Sequence, residues 1–298
     1  MNEIIKKIII ETLDKHKTIL KLLIYGFGGV VFESQFKELT GIRNNDLVNF
    51  LSEHKYIKVV KINKNNLIVA RNKLYKNFGL ENKSTVLSGK RVLHSSLYAE
   101  ILIRCHASDE RYIEKSLHAG TMSFYSPEDA LNLITRVKAH AEKHDFDTEY
   151  LSGSIDDISA KVDFFKKKTK GSKNTLSKSP VAKSTKDILV LKDNSTYIMG
   201  VNFDKENYIF DVAVFSDALN FGKIIRQVFT ADKVIRTTFF GLPVKINITV
   251  YSHFPENKGL VAKTRNYLKS KNYENEVNFK FFDTKRKLFS GIDINKWL

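Results

Sequence analysis

The stretch from Glu33 to Ala70 constrains the fold of this chain more than any other segment. It contains two short segments, Ser34–Thr40 and Arg43–His54, in which apolar residues recur at helical spacing. These residues are Phe36 and Leu39 in the first segment and Leu47, Phe50 and Leu51 in the second. Gly41 lies between the segments, and glycine accepts the backbone angles of a sharp break. The stretch therefore predicts two consecutive helices joined by a tight turn.

A polar hairpin is predicted directly after the second helix. Tyr56–Lys61 is rich in β-branched residues, which favour strands. Asn63–Asn66 consists of turn-forming residues, and Leu67–Ala70 is apolar again. Two helices around a tight turn, followed by a two-stranded hairpin, are typical of the winged helix-turn-helix.

The start and the polar face of the second helix are candidates for base recognition. In the major groove, arginine pairs with guanine and asparagine pairs with adenine, while a basic hairpin is suited to phosphates. The predicted DNA-binding residues are Arg43, Asn44, Asn45 and Asn49 on the helix, and Lys58, Lys61, Lys64 and Asn65 on the hairpin. Two alternatives stay open from the residues alone: the asparagines only cap the helix, or the motif contacts another protein.

The charge of the chain favours a polyanionic partner. The 298 residues include 49 Lys and Arg against 33 Asp and Glu, which gives a net charge of +16. Nucleic acid is the commonest polyanion that a basic cytosolic protein meets, so we expect double-stranded DNA as the partner. A compositional bias toward Lys, Asn and Ile is the alternative source of the charge. The single cysteine, Cys105, excludes an internal disulfide and a cysteine-based zinc cluster.

The N-terminal region gives no indication of a membrane or secreted protein. Glu3, Lys6 and Lys7 interrupt the apolar run that a signal peptide requires. Leu22–Phe32 is too short to span a bilayer and contains three glycines. We therefore expect a cytoplasmic protein with no membrane partner. Gly26–Phe32 predicts a sharp turn, because it lacks the Gly-Lys-Ser/Thr ending of a phosphate-binding loop.

The sequence divides into four parts. Residues 1–80 are predicted to form the winged helix-turn-helix domain, and residues 81–160 a helical connecting region. Residues 161–186 contain nine lysines and one acidic residue, a composition that buries too little apolar surface to fold. We expect this segment to be a basic flexible linker that adds salt-dependent affinity for nucleic acid. Residues 187–298 alternate strand and helix patterns and predict an α/β domain, so the fold class is an α+β or α/β multidomain protein.

The predicted elements of the last part follow from short apolar and β-branched runs. The strands are Ile188–Leu191, Tyr197–Phe203, Tyr208–Phe215, Lys245–Tyr251 and Val277–Phe282, and the helices are Asn220–Thr230 and Gly259–Lys271. Upstream of them, His140 and His144 are spaced i, i+4 on a helix. They lack the HExxH pattern of a zinc site, so we interpret them as solvent-facing.

Two further motifs carry a resemblance to a known family. The segment LYKNFG follows the hairpin, and a helix opens with HSSLYAE from His94. With the N-terminal motif, they resemble the replication-relaxation family of Gram-positive plasmids and integrative elements over most of the chain. The resemblance implies a sequence-specific DNA-binding protein of a mobile element, acting in replication, transfer or transcription control. It also implies a C-terminal domain similar to a restriction-endonuclease-like fold, with replication or transfer proteins and a second copy of the chain as further partners.

A metal-dependent nuclease is the second hypothesis. Enzymes of the PD-(D/E)xK type hold Mg²⁺ with two carboxylates and use a lysine to polarise the phosphate or the attacking water. Laid on this sequence, that set is Asp193, Asp211 and Lys223. Ala213 stands where the usual lysine would follow, so we interpret the domain as degenerate and expect neither enzymatic activity nor a cofactor or metal. A protein-binding adaptor that uses the winged helix is the third hypothesis.

Overall fold

The chain forms two compact units, each built around one β-sheet. The computed structural model describes residues 3–40, 46–80, 85, 87–106, 127–168, 188, 191, 195–216, 220–254 and 256–282. The first unit comprises Met1–Ala107 with Leu288–Leu298, and the second comprises Ser108–Lys287. The protein is therefore of mixed α/β class.

The first unit places most of its helices before and after a small sheet. Its helices are α1 (Glu3–Lys15), α2 (Lys17–Lys21), α3 (Glu33–Thr40), α4 (Asp46–Glu53), α5 (Asn72–Asn77) and α6 (Gly89–His106), with a π-helical turn at Leu22–Gly26. Its strands are β1 (Val30–Phe32), β2 (Ile57–Ile62) and β3 (Asn65–Ala70). The two helices and the hairpin predicted from the sequence occur in the predicted order, and the turn expected at Gly41 lies outside the described residues.

The sheet of the first unit has the order β1-β3-β2 and is antiparallel throughout. Ile62 pairs with Asn65, so only Asn63 and Lys64 form the hairpin loop. Asn63 has a φ of 51°, the left-handed conformation that a two-residue hairpin requires. The predicted four-residue turn is therefore too long, because Asn65 and Asn66 already belong to β3.

Helix α4 buries a different stripe from the predicted one. Leu47, Val48 and Leu51 are buried, whereas Phe50 is only half-buried and stacks against His54 with ring centroids 4.5 Å apart. Both stripes are compatible with helical spacing. The choice between them depends on the direction from which β2 and β3 pack against the helix, which the sequence pattern does not contain.

The glycine-rich segment before β1 forms the predicted sharp turn. Gly28 and Gly29 have φ values of 60° and 84°. A Cβ atom on Gly29 would collide with the hydroxyl groups of Tyr75 and Thr85, which lie 2.8 Å from each other. The carbonyl of Gly29 also accepts a hydrogen bond from the amide of Ala70 at 2.7 Å. The turn therefore joins the start of β1 to the end of β3.

The second unit has a four-stranded sheet of order β4-β5-β6-β7. Its strands are β4 (Thr196–Phe203), β5 (Tyr208–Ser216), β6 (Val244–Ser252) and β7 (Val277–Phe281). Its helices are α7 (Pro127–Glu142), α8 (Glu149–Lys168), α9 (Phe221–Thr238) and α10 (Lys258–Ser270). β4 and β5 form an antiparallel hairpin, and β5, β6 and β7 are parallel with α9 and α10 as their connections.

One hydrophobic core joins the helices of the second unit to one face of its sheet. Leu133 of α7, Leu151 of α8 and Val228 of α9 pack with Phe210 and Val212 of β5. Since α7 and α8 belong to this core, the predicted helical connecting region 81–160 is corrected: its first helix, α6, lies in the first unit and its later helices lie in the second. The predicted linker 161–186 is also corrected at its start, because α8 continues to Lys168.

Most predicted strands of the second unit are confirmed within one or two residues, with one exception. The predicted strand Ile188–Leu191 is wrong at its described ends: Ile188 lies in a turn and Leu191 is helical. The amide of Leu191 donates to the carbonyl of Ile188 at 3.2 Å, so the two apolar side chains enter the core from a turn. The predicted helix Asn220–Thr230 also continues to Thr238, because Ala231, Val234 and Ile235 extend its buried stripe.

Substitution of Gly29 by alanine should destabilise the first unit more than the same change at Gly28. Both changes place a non-glycine residue in the left-handed region, at a cost of about 1–2 kcal/mol. Only Gly29→Ala adds the collision with Tyr75 and Thr85, so we expect about 1 kcal/mol beyond the loss at Gly28. Hydrogen exchange of the β3 amides in urea measures both variants. Equal losses would show that the close approach of Tyr75 to the glycine is unimportant.

Candidate nucleic-acid interface

Helix α4 presents one of the predicted DNA-binding residues to solvent. Asn49 is exposed, on the side of the helix away from the buried Leu47, Val48 and Leu51. The other predicted base-reading residues precede α4, and Arg43, Asn44 and Asn45 lie outside the described residues. Of the four, Asn49 is therefore the residue whose position the structure establishes.

The hairpin brings two of its predicted lysines to the tip and leaves the third at the base. Lys61 is exposed one residue pair before the loop, and Lys64 is exposed within it. Lys58 lies three residues before Lys61, and alternation along a strand puts the two on opposite faces of the sheet. Asn65 is half-exposed and pairs with Ile62. The tip therefore offers Lys61, Lys64 and the side chain of Asn65, separately from Lys58.

A carboxylate at the start of α3 anchors the hairpin. Asn66 Nδ2 of β3 donates to Glu33 Oε2 at 2.7 Å, and Lys37 Nζ lies 2.6 Å from Glu33 Oε1. Partial burial acts to raise the pKa of Glu33, but the bonds from Lys37 and Asn66 outweigh it and lower the pKa from its usual 4.5. Lys61 pairs with Asn66 across the hairpin, so this anchor lies beside the basic tip.

A second anchor joins the base of the hairpin to α4 and α5. Lys73 Nζ donates to the carbonyl of His54 at 2.9 Å and lies 4.2 Å from the ring centroid of Tyr56. The amide of Arg71 donates to the carbonyl of Tyr56 at 2.9 Å. Burial of Tyr56 raises the pKa of its phenol. These contacts fix the C-terminal end of α4 relative to the first residue of β2.

Helix α6 is attached to α3 by a buried amide. Gln35 Nε2 donates to the carbonyl of Ser96 at 2.9 Å and to Glu100 Oε2 at 3.4 Å. On the other side of the sheet, Val92 of α6 packs with Leu67 and Val69 of β3. The segment HSSLYAE therefore belongs to the structural support of the hairpin and of α3.

The residues of the nuclease hypothesis are not brought together where they are described. Asp211 accepts hydrogen bonds from Asn202 Nδ2 at 3.3 Å and Asn247 Nδ2 at 3.0 Å. Its side chain lies on the sheet face opposite Phe210 and Val212, whereas Lys223 belongs to α9, which covers the face of those two residues. Asp193 lies outside the described residues. In the part of the chain that the structure describes, no group of three or more His, Cys, Asp and Glu residues is arranged to hold a metal ion.

The two helical histidines differ in their surroundings. His140 is half-buried, which corrects the solvent-facing interpretation for that residue, and its Nδ1 lies 3.0 Å from the hydroxyl of Tyr208. Burial, followed by the charges of His144 and Lys143, lowers the pKa of His140. Burial raises the pKa of Tyr208 to about 12. His144 is exposed as expected, and its ring stacks on His140 at 4.5 Å.

No family model matches this chain, and neither the curated proteins nor the solved structures contain a match to it. Within the described ranges, no helix is long and apolar enough to cross a membrane. The function must therefore be argued from the residues and their geometry.

Sequence reasoning missed the residues that hold the interface in place. Glu33 and Lys37 have the i, i+4 spacing of a helical ion pair, which is a usable local signal. The bond from Asn66 to Glu33 joins residues 33 positions apart, and Lys73 reaches back 19 positions to His54. No local pattern contains these contacts.

The anchor at Glu33 should make the stability of the first unit depend on pH. Because the folded state lowers the pKa of Glu33, its stabilising contribution is present above about pH 4.5 and is lost as the pH falls through the folded-state value. Glu33→Gln should reduce the free energy of unfolding at pH 7 and flatten its decrease in acid. Glu38→Gln removes the same charge from an exposed position of the same helix and is the control. Urea unfolding between pH 3 and 7 compares them, and identical pH profiles for the two variants would contradict the anchor.

Proposed function

We propose that this chain is a sequence-specific double-stranded DNA-binding protein whose first unit is a winged helix-turn-helix. The observation that carries the proposal is the arrangement β1-α3-α4-β2-β3 with the sheet order β1-β3-β2 and a two-residue hairpin loop. In a winged helix-turn-helix, α3 and α4 are the paired helices and β2-β3 is the wing. The second helix of such a pair enters the major groove and reads base edges.

The side chains on these elements suit their proposed roles. Asn49 is exposed on α4, and an asparagine amide makes two hydrogen bonds to adenine. Lys61 and Lys64 are exposed at the wing tip, and lysines bind phosphate oxygens without reading sequence. The net charge of +16 supports attraction to DNA over a longer range. Arg43, Asn44 and Asn45 remain candidate base contacts on the strength of the sequence.

The biological role that we propose follows the sequence resemblance. A protein of the replication-relaxation type would recognise an origin of replication, an origin of transfer or an operator on a plasmid or integrative element in the cytoplasm. The second unit would then contact replication or transfer proteins or a second copy of the chain. Chromatin-type affinity selection of fragments from the genetic element that encodes the protein, followed by footprinting, tests this role.

Removal of the tip lysines should weaken DNA binding without changing sequence preference. Lys61→Ala combined with Lys64→Ala is expected to reduce the slope of log K against log salt by about 2, because each lysine neutralises one phosphate. Fluorescence anisotropy with a duplex between 50 and 300 mM salt measures the slope. Lys58→Ala is the matched control from the same strand, and we expect a smaller change because Lys58 lies on the other face at the base of the hairpin. A larger effect at Lys58 than at Lys61 would reverse the assignment of the contacting face.

Loss of the Asn49 amide should weaken specific binding and relax discrimination. Asn49→Ala is expected to cost about 1–3 kcal/mol on the cognate site and to reduce discrimination at one base pair, with little effect on random duplex. Ser52→Ala removes a half-exposed polar group from the same helix and serves as the control. Competition binding against a set of single-base variants of the site measures both. An unchanged base preference in Asn49→Ala would remove Asn49 from the reading residues.

A further inference from the structure

The outward face of α10 in the second unit is strongly basic. Its buried stripe consists of Leu260, Thr264 and Leu268, which fixes the orientation of the helix on the sheet. The exposed residues on the other side are cationic, small or uncharged polar: Lys258, Gly259, Ala262, Lys263, Arg265, Asn266, Lys269 and Ser270. The helix contains no acidic residue. Nothing on this face opposes the approach of a polyanion.

Three of the cations form one row along the helix. Lys258, Arg265 and Lys269 are spaced i, i+7 and i+11, so they lie on one line over about 16 Å. The ion pairs found within the described residues involve none of these three. Lys263 lies to the side of the row, with its Nζ 4.6 Å from the ring centroid of Phe221.

The charges of this row do not serve the helix itself. Lys258 is the first helical residue, where the positive end of the helix dipole disfavours a cation. Arg265 and Lys269 are spaced i, i+4, where like charges repel and destabilise a helix by about 0.2–0.5 kcal/mol. The N-cap is supplied separately, since Asn257 Oδ1 accepts from the amide of Leu260 at 3.0 Å. An anionic ligand on the outward face would relieve these repulsions.

The dimensions of the face match duplex DNA. An α-helix with its side chains is about 10–12 Å across, and the major groove is about 12 Å wide with phosphates along both edges. On α10, the centre of the outward face carries Ala262 and Asn266, and cations lie on both sides of them. Small and amide side chains fit the floor of a groove, and lysine and arginine fit its edges.

We infer that the outward face of α10 is a second binding surface for double-stranded DNA, with Lys258, Arg265 and Lys269 as phosphate contacts. The surface belongs to the second unit and does not include any residue of the proposed winged helix. It rests on the proposed function only for the choice of duplex DNA as the ligand.

The test compares two charge-matched double variants of the full chain. Arg265→Gln with Lys269→Gln removes two charges from the α10 row. Lys138→Gln with Lys245→Gln removes two exposed or half-exposed lysines of the same unit that are already ion-paired, at 3.2 Å to Glu142 and 3.6 Å to Asp204. Anisotropy titration with a random 30-base-pair duplex between 50 and 300 mM salt gives affinity and salt slope for both variants and the wild-type chain.

We expect the α10 variant to lose affinity about tenfold or more at 0.1 M salt and to reduce the salt slope by about 2. The control variant should change the slope by less than half of that. The thermal unfolding midpoint of the α10 variant should be unchanged or higher, because a repulsive pair has been removed. A lowered midpoint with unchanged affinity would assign the two residues a structural role and overturn the inference.

The outcomes separate this inference from the proposed function. If the wild-type chain binds duplex and the α10 variant matches the control variant, the α10 surface is overturned and the winged helix proposal stands. If the α10 variant loses binding while Lys61→Ala with Lys64→Ala does not, the α10 surface is supported and the wing assignment fails. If the wild-type chain binds no duplex at any salt concentration, both fail.

Discussion

The register of β3 determines where every described candidate DNA-contacting side chain of the hairpin lies. β3 pairs with β1 on one side and with β2 on the other, so it is the central strand of the first unit. A slip of one residue would exchange the faces of Lys58 and Lys61 and turn the apolar residues of β3 outward. The structure holds both ends of the strand: Asn66 is bonded to Glu33, and Ala70 is bonded to Gly29. The glycine turn and the Glu33 anchor are therefore conditions for a defined binding surface as well as for stability.

The second unit obtains its basic helix from a requirement of its topology. Parallel strands need a crossover connection between them, and a helix fills that role for β6 and β7. Only the stripe of Leu260, Thr264 and Leu268 is needed to cover the sheet, so the sequence is unconstrained by packing on the opposite side. A run of cations with no compensating acid on that side is therefore informative, because folding does not explain it.

How much could be read from the sequence depended on how local each feature is. The boundaries of β5 were predicted almost fully, since Tyr208–Ser216 is β-branched and aromatic along its length. The predicted strand at Ile188–Leu191 was wrong because four apolar residues fit a buried turn as well as a strand. The division into units was missed because it depends on distant contacts, such as the bond from Gln35 to Ser96 across 61 positions.

The same limit applied to the candidate site. Lys61 and Lys64 could be assigned to the hairpin from composition, and their exposure agrees with that assignment. The separation of Lys58 from them follows from the pairing of Lys58 with Val69 and of Lys61 with Asn66, which requires the register. The nuclease set failed for a similar reason, because the face on which Asp211 lies depends on how β5 sits under α9.

Two basic surfaces on two units would divide the work of DNA recognition unequally. Phosphate contacts supply affinity and register but carry no sequence information, whereas base contacts supply discrimination. The row on α10 has three cations, so its contribution would fall steeply with salt and would be the same for every duplex. Discrimination would then remain with α4 and the residues before it. Because a ligand held by one surface raises the effective concentration at the other, weak contacts on α10 would suffice to prolong binding at a site that α4 selects.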